Sequence, residues 1–167
     1  MRHTIGRLIG ASALTAMLIT AGLQPAFAAN QVAFKASYSG VITPPHGPPP
    51  VDLSGSGTAT YLGTSTNSGH VAVTGPSSCQ DGFAVRNDEI LTSTDDGDRI
   101  TLTITDESCP IPNSPGVYHG VGTYVVTGGT GRFANATGQG TFDGRGDFNL
   151  GKFAFTLNGT ISRPSGG

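Results

Sequence analysis

Apolar residues recur at every second position along most of the chain from Gln31 onward. In FKASYSGVI at 34–42, Phe, Ala, Tyr, Gly and Ile alternate with Lys, Ser, Ser and Val. The segments ITLTI at 100–104 and FAFTL at 153–157 repeat the pattern. A period of two gives a β-strand one dry and one wet face, whereas the spacing of an amphipathic helix is nowhere sustained. The chain is therefore predicted to be all-β.

Eight segments with this period are separated by residues that favour turns. The predicted strands span 31–42, 55–63, 69–75, 82–92, 99–106, 117–128, 136–143 and 147–162. Thr66–Gly69, Asp95–Asp98 and Asp143–Gly146 are predicted hairpin turns, because Gly, Asn and Asp tolerate positive φ. Short strands with short turns favour an eight-stranded antiparallel up-and-down β-barrel of the calycin type, whose closure leaves no exposed edge. A β-sandwich is the alternative.

The connections of such a meander alternate between the two ends of the barrel. The predicted loops 43–54, 76–81, 107–116 and 144–146 share one end, and 64–68, 93–98 and 129–135 share the other. The first end collects the proline-rich loops TPPHGPPP at 43–50 and CPIPNSPG at 109–116. Since proline fixes φ and favours extended backbone, we expect a stiff rim there.

Residues 1–28 have the composition of a secretory signal peptide. Arg2 and Arg7 precede an apolar run that ends before Pro25, and Ala26–Ala28 forms a small-residue cleavage site. The alternative is a membrane anchor, but that needs about 20 continuous apolar residues, and polar residues interrupt this run. We predict cleavage after Ala28, secretion to the periplasm or the extracellular space, and a single barrel domain over 29–167 without a membrane segment.

The mature chain is predicted to be weakly acidic. The sequence has 9 Lys and Arg against 11 Asp and Glu. Removal of Arg2 and Arg7 leaves 7 basic residues, so the net charge becomes 7 − 11 = −4 with His neutral. A chain without a basic stripe is a poor candidate for binding nucleic acid.

The two cysteines, Cys79 and Cys109, are predicted to form a disulfide. An even number of cysteines in an exported chain favours this pairing, and a hairpin that turns at Asp95–Asp98 brings both to the same end of the barrel. Two cysteines without nearby histidines do not form a zinc site, and Asp95–Asp98 lacks the spacing of a calcium loop. No metal site and no cofactor is predicted.

A glycine-rich stretch, VVTGGTGRFANATGQGTF at 125–142, joins the sixth and seventh predicted strands. Gly138 and Gly140 share the inward face of Phe142 by alternation. The same alternation turns four more glycines inward: Gly40, Gly120, Gly122 and Gly159. Inward glycine lets a strand bend and approach its neighbour, and it leaves volume inside a barrel. These glycines therefore either build curvature or make room for a ligand.

Three segments carry a resemblance to a known superfamily: GGTGRFANATGQGTF at 128–142, GSGTATYLG at 55–63 and DGDRITLT at 96–103. Together they resemble the bacterial secreted branch of the allene oxide cyclase and dirigent-like barrel superfamily, over about residues 31–162. The resemblance implies an eight-stranded barrel whose hydrophobic lumen holds a small apolar substrate or intermediate and acts by steric confinement. Its motifs are structural, and no catalytic residue of the plant members is carried over to this chain.

Two sets of candidate site residues follow from the alternation and from the loop positions. The predicted lumen contacts, which face inward or carry aromatic rings, are Tyr38, Tyr118, Tyr124 and Phe142. The predicted residues of the pocket mouth are His46, Asp81, Glu107 and Arg145. The alternatives are that the tyrosines are ordinary core residues with satisfied hydroxyls and that the mouth residues are solvated loop groups.

No nucleophile, base and acid are arranged in a recognisable catalytic pattern. The sequence therefore favours a secreted barrel that binds a small hydrophobic molecule without transforming it. One alternative is a cyclase, isomerase or dirigent-type protein that guides stereochemistry in the same lumen. The other is a structural or interaction module with a filled core.

Overall fold

Eight antiparallel strands close into a barrel in the computed structural model, which describes residues 30–47 and 49–165. The strands are β1 Gln31–Thr43, β2 Val51–Ala59, β3 Gly63–Pro76, β4 Phe83–Ser93, β5 Arg99–Pro110, β6 Val117–Gly129, β7 Gly138–Asp147 and β8 Lys152–Ser162, with a 3-10 helix at Gly131–Phe133. Each strand pairs with its sequence neighbours, and β8 pairs with β1, where Phe155 lies opposite Tyr38. The predicted barrel is confirmed and the sandwich is excluded. The predicted signal peptide at 1–28 lies outside the described residues.

The second hairpin turns at 60–62, so the predicted turn at Thr66–Gly69 is wrong. This segment lies within β3, where the Ser65 and Asn67 side chains are buried. The backbone instead reverses at Tyr61, whose φ is 66°, and at Gly63, whose φ is 70°. Ser, Asn and Gly resembled a turn in the sequence because an inward-facing strand position normally holds an apolar residue.

The predicted turn at Asp143–Gly146 is wrong for the same reason. These residues belong to β7 and pair with β6, Gly144 lying opposite Gly120 and Gly146 opposite Tyr118. The chain turns instead at 148–151. The predicted turn at Asp95–Asp98 is confirmed, since it connects β4 and β5.

The two ends of the barrel differ in how they are covered. The connections 44–50, 77–82, 111–116 and 148–151 form one end, called here the rim end, and 60–62, 94–98 and 130–137 form the other, called the closed end. At the closed end the connections insert Leu62 and Phe133, which are 2% and 1% exposed. Arg132 stays outside and pairs through Nε with Asp98 at 2.9 Å. The closed end is therefore plugged by apolar side chains.

The inward glycines of β7 and β8 serve the core. Gly140 and Gly159 are register partners, and the fully buried Tyr124 ring lies across them. A Cβ atom on Gly140 would lie 2.6 Å from Tyr124 Cε1, and one on Gly159 would lie 2.7 Å from its hydroxyl oxygen. Here glycine makes room for a tyrosine of the chain itself.

The predicted disulfide between Cys79 and Cys109 is present. Their Cα atoms are 5.9 Å apart, which is an ordinary separation for a disulfide. The bond ties the 77–82 connection to the end of β5 and so stiffens one side of the rim. Within the described residues, no helix is long and apolar enough to cross a membrane.

Candidate functional site

The rim half of the lumen contains a cavity of about 80 Å³. Residues of all eight strands border it, together with Pro49 and Phe148 of the rim connections. A wider depression of about 440 Å³ adjoins it at the rim, and Phe83, Tyr118 and Phe148 border both spaces. The two spaces therefore meet at these three aromatic residues.

The other half of the lumen is filled by packed side chains. Phe34, Ile100, Tyr124 and Ile161 are 0% exposed and belong to one continuous apolar cluster with the plug residue Phe133. The alternative of a filled core thus describes the closed half of the barrel only. The cavity described above lies in the rim half.

One side of the open half is an aromatic wall, formed by Tyr38, Phe142, Phe153 and Phe155 of β1, β7 and β8. The Phe155 ring is central, with ring centroids 5.5 Å from Tyr38 and 5.8 Å from both Phe142 and Phe153. These separations are typical of packed aromatic pairs. A second aromatic group stands at the rim, where the Tyr118 ring lies 4.9 Å from Phe83 and 5.6 Å from Phe148.

The opposite side of the barrel interior is polar. Its inward positions on β3, β4 and β5 carry hydroxyl, amide and carboxyl groups, and we call these residues the polar wall: Ser65, Asn67, Asn87, Glu89, Asp106 and Ser108. In an eight-stranded barrel β4 lies across from β8, so the polar wall faces the aromatic wall. Such a two-sided lumen suits a ligand with an apolar body and a polar group.

Glu89 is the most deeply buried carboxyl group of the polar wall, at 1% exposed. Asn67 Nδ2 donates to its Oε1 at 2.6 Å, and Asn87 Nδ2 donates to its Oε2 at 2.8 Å. Gly69, the register partner of Glu89, leaves the space that the carboxyl group occupies. Burial raises the pKa of Glu89 to about 7, although the two amide hydrogen bonds favour the ionised form and act in the opposite direction.

The two asparagines that hold Glu89 each have an amide oxygen without a partner in the described part of the chain. Asn67 Oδ1 and Asn87 Oδ1 are buried and accept no hydrogen bond from it, and both residues are 3% exposed. Buried polar atoms are usually paired, so each unpaired oxygen needs an explanation. Asn87 also borders the cavity, but its Oδ1 atom is enclosed within the barrel wall, where a Cβ atom on Gly69 would lie 2.7 Å from it.

Asp106 brings a second carboxyl group to the cavity. It is 9% exposed and borders the same space as Asn87. Ser108 Oγ donates to its Oδ2 at 2.9 Å. Burial raises the pKa of Asp106 to about 6, against the lowering effect of the Ser108 hydrogen bond. Both buried carboxyl groups therefore titrate close to neutral pH.

The two buried tyrosines remain neutral phenols at physiological pH. Burial raises the pKa of Tyr38 to about 12; the Ser65 hydrogen bond at 2.5 Å lowers it, and the nearby Glu89 charge raises it. Burial likewise raises the pKa of Tyr124 to about 12, and its hydroxyl donates to the Thr160 carbonyl at 3.4 Å. Tyr38 therefore joins the two walls, since its ring packs on Phe155 and its hydroxyl meets Ser65.

The predicted lumen residues are divided between the cavity and the core. Tyr118 and Phe142 border the cavity. Tyr38 and Tyr124 are buried at 2% and 0% exposed in the apolar cluster and do not border it. As ligand contacts, all four remain predictions.

The predicted mouth residues are divided in a similar way. His46 borders the rim depression, and Arg145 borders the cavity. Asp81 and Glu107 border neither space. The Glu107 carboxyl group instead accepts hydrogen bonds from the backbone N–H and the hydroxyl of Ser78 on the outer side of the barrel.

Sequence reasoning missed the polar wall, although the sequence contains a signal for it. In NDEIL at 87–91, Asn87 and Glu89 alternate in phase with Leu91. Extending the period of two through polar residues would have turned both inward. Asp106 is likewise in phase with Ile104.

Comparison of the chain with protein-family models, with curated proteins and with solved structures gave no match.

Proposed function

We propose that this protein is a secreted barrel that binds one small, largely apolar molecule in the rim half of its lumen without transforming it. The observation that carries the proposal is the cavity between the aromatic and polar walls, which is plugged at one end and bordered by a wider depression at the other. Membership of the allene oxide cyclase and dirigent-like superfamily is part of the proposal, on the resemblance of the segments 55–63, 96–103 and 128–142.

The cavity limits the size of the group that enters it. At about 80 Å³ it is smaller than the 300–1,000 Å³ of typical pockets for drug-sized ligands. A single ring or a short branched chain fits beside Phe155, and the remainder of a larger ligand would lie in the rim depression. Contact with the aromatic wall supplies most of the binding free energy, because apolar area is removed from water there.

A cavity-filling variant tests this proposal. A Cβ atom on Gly146 would meet Phe148 at 3.5 Å and Ile42 at 3.7 Å, which are ordinary contacts, so Gly146→Leu projects a side chain into the cavity without a clash at Cβ. Gly75→Leu is the matched control, since a Cβ atom there has no neighbour within 4 Å among the described residues and Gly75 borders neither space.

The first measurement is native mass spectrometry of the secreted protein before and after extraction with organic solvent, followed by NMR titration with benzyl alcohol. We expect a removable adduct or saturable binding to the wild type and to Gly75→Leu, and at least about tenfold weaker binding to Gly146→Leu. Equal binding to all three proteins would place the ligand elsewhere, and no binding to any of them would refute the proposal.

A second candidate function is acid–base isomerisation or cyclisation in the same lumen. The specific observation in its favour is that Asp106 borders the cavity and titrates near neutral pH, as a general acid or base must. Turnover of a bound ligand that is lost in Asp106→Asn, with ligand affinity retained, would favour this candidate. If every bound ligand were recovered unchanged, catalysis would be ruled out and binding would be the only remaining function of the two.

A further inference from the structure

The inward faces of the eight strands carry charge of one sign only. Along the described strands, Glu89 and Asp106 are the inward-facing carboxyl groups, and no inward position holds Lys, Arg or His. Arg145 borders the cavity at the rim, but it belongs to the outward, exposed series of β7. The other basic residues of the strands also lie on outward, exposed positions: Lys35, His70, Arg86, Arg99, His119 and Lys152. The interior therefore has acidic groups without a basic partner on the inward faces.

The polar edge of the cavity also offers acceptors rather than donors. Asn87 Oδ1 is buried and has no partner in the described part of the barrel, while the amide N–H groups of Asn67 and Asn87 are used to hold Glu89. The Ser108 hydroxyl is used in the same way, because it donates to Asp106. The acceptor that a ligand can reach at the cavity is therefore the Asp106 carboxyl group, because the Oδ1 atom of Asn87 has no accessible surface.

The aromatic wall is complementary to the same kind of ligand. The faces of aromatic rings carry negative potential and attract cations within about 6 Å. Phe153 and Phe155 of β8 border the cavity across from Asn87 of β4, and Phe142 of β7 borders it two strands from Asp106 of β5. A cationic group in the cavity would lie between the Asp106 carboxyl group and these aromatic rings, which suit a cation better than an anion.

We propose that the lumen selects organic cations: ligands that join an apolar body to a protonated amine, whose N–H groups donate to the Asp106 carboxylate. Glu89 lies behind Asn87, which donates to it, and adds negative charge to the same side of the lumen. This inference rests on the proposed binding function and adds the chemical class of the ligand.

The proposal requires binding of an amine to strengthen as pH rises through neutrality. The burial that raises the pKa of Glu89 to about 7 and that of Asp106 to about 6 keeps part of the site uncharged in slightly acidic solution. The other titratable groups on inward positions are Tyr38 on β1 and Tyr118 and Tyr124 on β6, and the inward positions of β2, β3, β7 and β8 are neutral. An alkylamine stays protonated over this range, so the change comes from the two carboxyl groups.

Two further charged or titratable groups stand at the rim. Arg145 borders the cavity and His46 borders the depression outside it, and both residues are exposed. His46→Gln separates any rim contribution, because the pH dependence of amine binding should persist in this variant.

Three probes of nearly equal size separate the ligand's charge from its shape: benzylamine, benzyl alcohol and benzoate. At pH 8 we expect benzylamine to bind wild-type protein at least about tenfold more tightly than benzyl alcohol, because charge-assisted hydrogen bonds are stronger than neutral ones, and benzoate to bind most weakly. Between pH 8 and pH 5 the affinity for benzylamine should fall about tenfold or more, and that for benzyl alcohol should change less than about threefold.

Asp106→Asn removes one charge with little change in shape. It should weaken benzylamine binding at pH 8 about tenfold and leave benzyl alcohol binding within about threefold. Asp143→Asn is the matched control, because Asp143 is an exposed β7 carboxylate on the outer face that pairs with His119; it should leave both affinities unchanged. If Asp106→Asn fails to fold, the pH series on the wild type decides the matter alone.

The outcomes separate this inference from the proposed function. Equal affinities for benzylamine and benzyl alcohol, or an amine affinity that rises as pH falls, would overturn cation selection while the binding barrel stands. Tighter binding of benzoate than of benzylamine would do the same. Failure of all three probes to bind the wild type would overturn both proposals together.

Discussion

Replacement of Glu89 by glutamine is expected to stabilise the protein at pH 8. Glu89 is 1% exposed, and burial raises its pKa from 4.5 to about 7 in the folded protein. The glutamine side chain would keep the shape of the protonated acid but could not ionise. Its amide N–H group needs an acceptor, and rotation of the amide of Asn67 or Asn87 would supply one, since each has an Oδ1 atom without a partner in the described residues.

The magnitude follows from the two pKa values. Below pH 4.5 both the folded and the unfolded chain hold the proton, and the full stability is present. As pH rises from 4.5 to about 7 the unfolded chain releases the proton first, so the free energy of unfolding falls across this window and then levels off. The difference, 7 − 4.5, is about 2.5 pH units, and at 1.36 kcal/mol for each unit it amounts to about 3 kcal/mol at pH 8.

Urea unfolding between pH 4 and pH 8 measures this directly, with the disulfide intact. The chain has no tryptophan, so far-ultraviolet circular dichroism is the suitable signal. The wild type should lose stability as pH rises from 5 to 8, and Glu89→Gln should lose about 3 kcal/mol less over the same range. Glu107→Gln is the matched control, since the other glutamate of the chain is exposed. If the free energy of unfolding depended on pH in the same way in the wild type and in Glu89→Gln, the raised pKa of the buried Glu89 would be refuted.

Three further substitutions test which features stabilise the barrel. Replacing Cys79 and Cys109 together by serine should lower the free energy of unfolding by roughly 3 to 4 kcal/mol, because a loop of 30 residues is no longer closed in the unfolded chain; urea unfolding of the variant with and without reductant checks this. Gly140→Ala should cost about 1 to 3 kcal/mol in the same assay, because its methyl group would press on the Asn158 carbonyl oxygen and on the Tyr124 ring. Phe133→Ala should cost about 3 to 5 kcal/mol, since the ring plugs the closed end, and a thermal scan should show the lower melting temperature.

The period of two in the sequence was sufficient to predict the architecture. It identified eight strands and the end of the barrel on which each connection lies, although two of the turns and the bounds of β2 and β3 were wrong. The position of the Asp95–Asp98 turn then paired Cys79 with Cys109. These features are set by local chemistry, because each strand must turn its apolar face to one interior. Closure follows from the strand number and the short turns.

The candidate site was not predicted, because the sequence interpretation assumed that the inward-facing positions of every strand are apolar. A strand with Ser65, Asn67 and Gly69 on its inward face breaks the apolar period, so that part of β3 resembled a turn. The assumption fails where the interior itself is polar. The misplaced turn and the missed polar wall are therefore one error.

The polar wall carries a cost in stability that a purely structural barrel could avoid. A penalty of about 3 kcal/mol from Glu89 at pH 8 is a large part of the 5 to 15 kcal/mol that holds a typical domain folded, and leucine in its place would remove that penalty. A bound cation would offset the same penalty, since it favours the ionised carboxyl groups that burial opposes. The pH profiles of stability and of amine affinity should therefore mirror each other, one falling where the other rises. A stability that falls with pH, without a matching gain in amine affinity, would mean that Glu89 and its two asparagines hold the barrel in register and do not recognise a ligand.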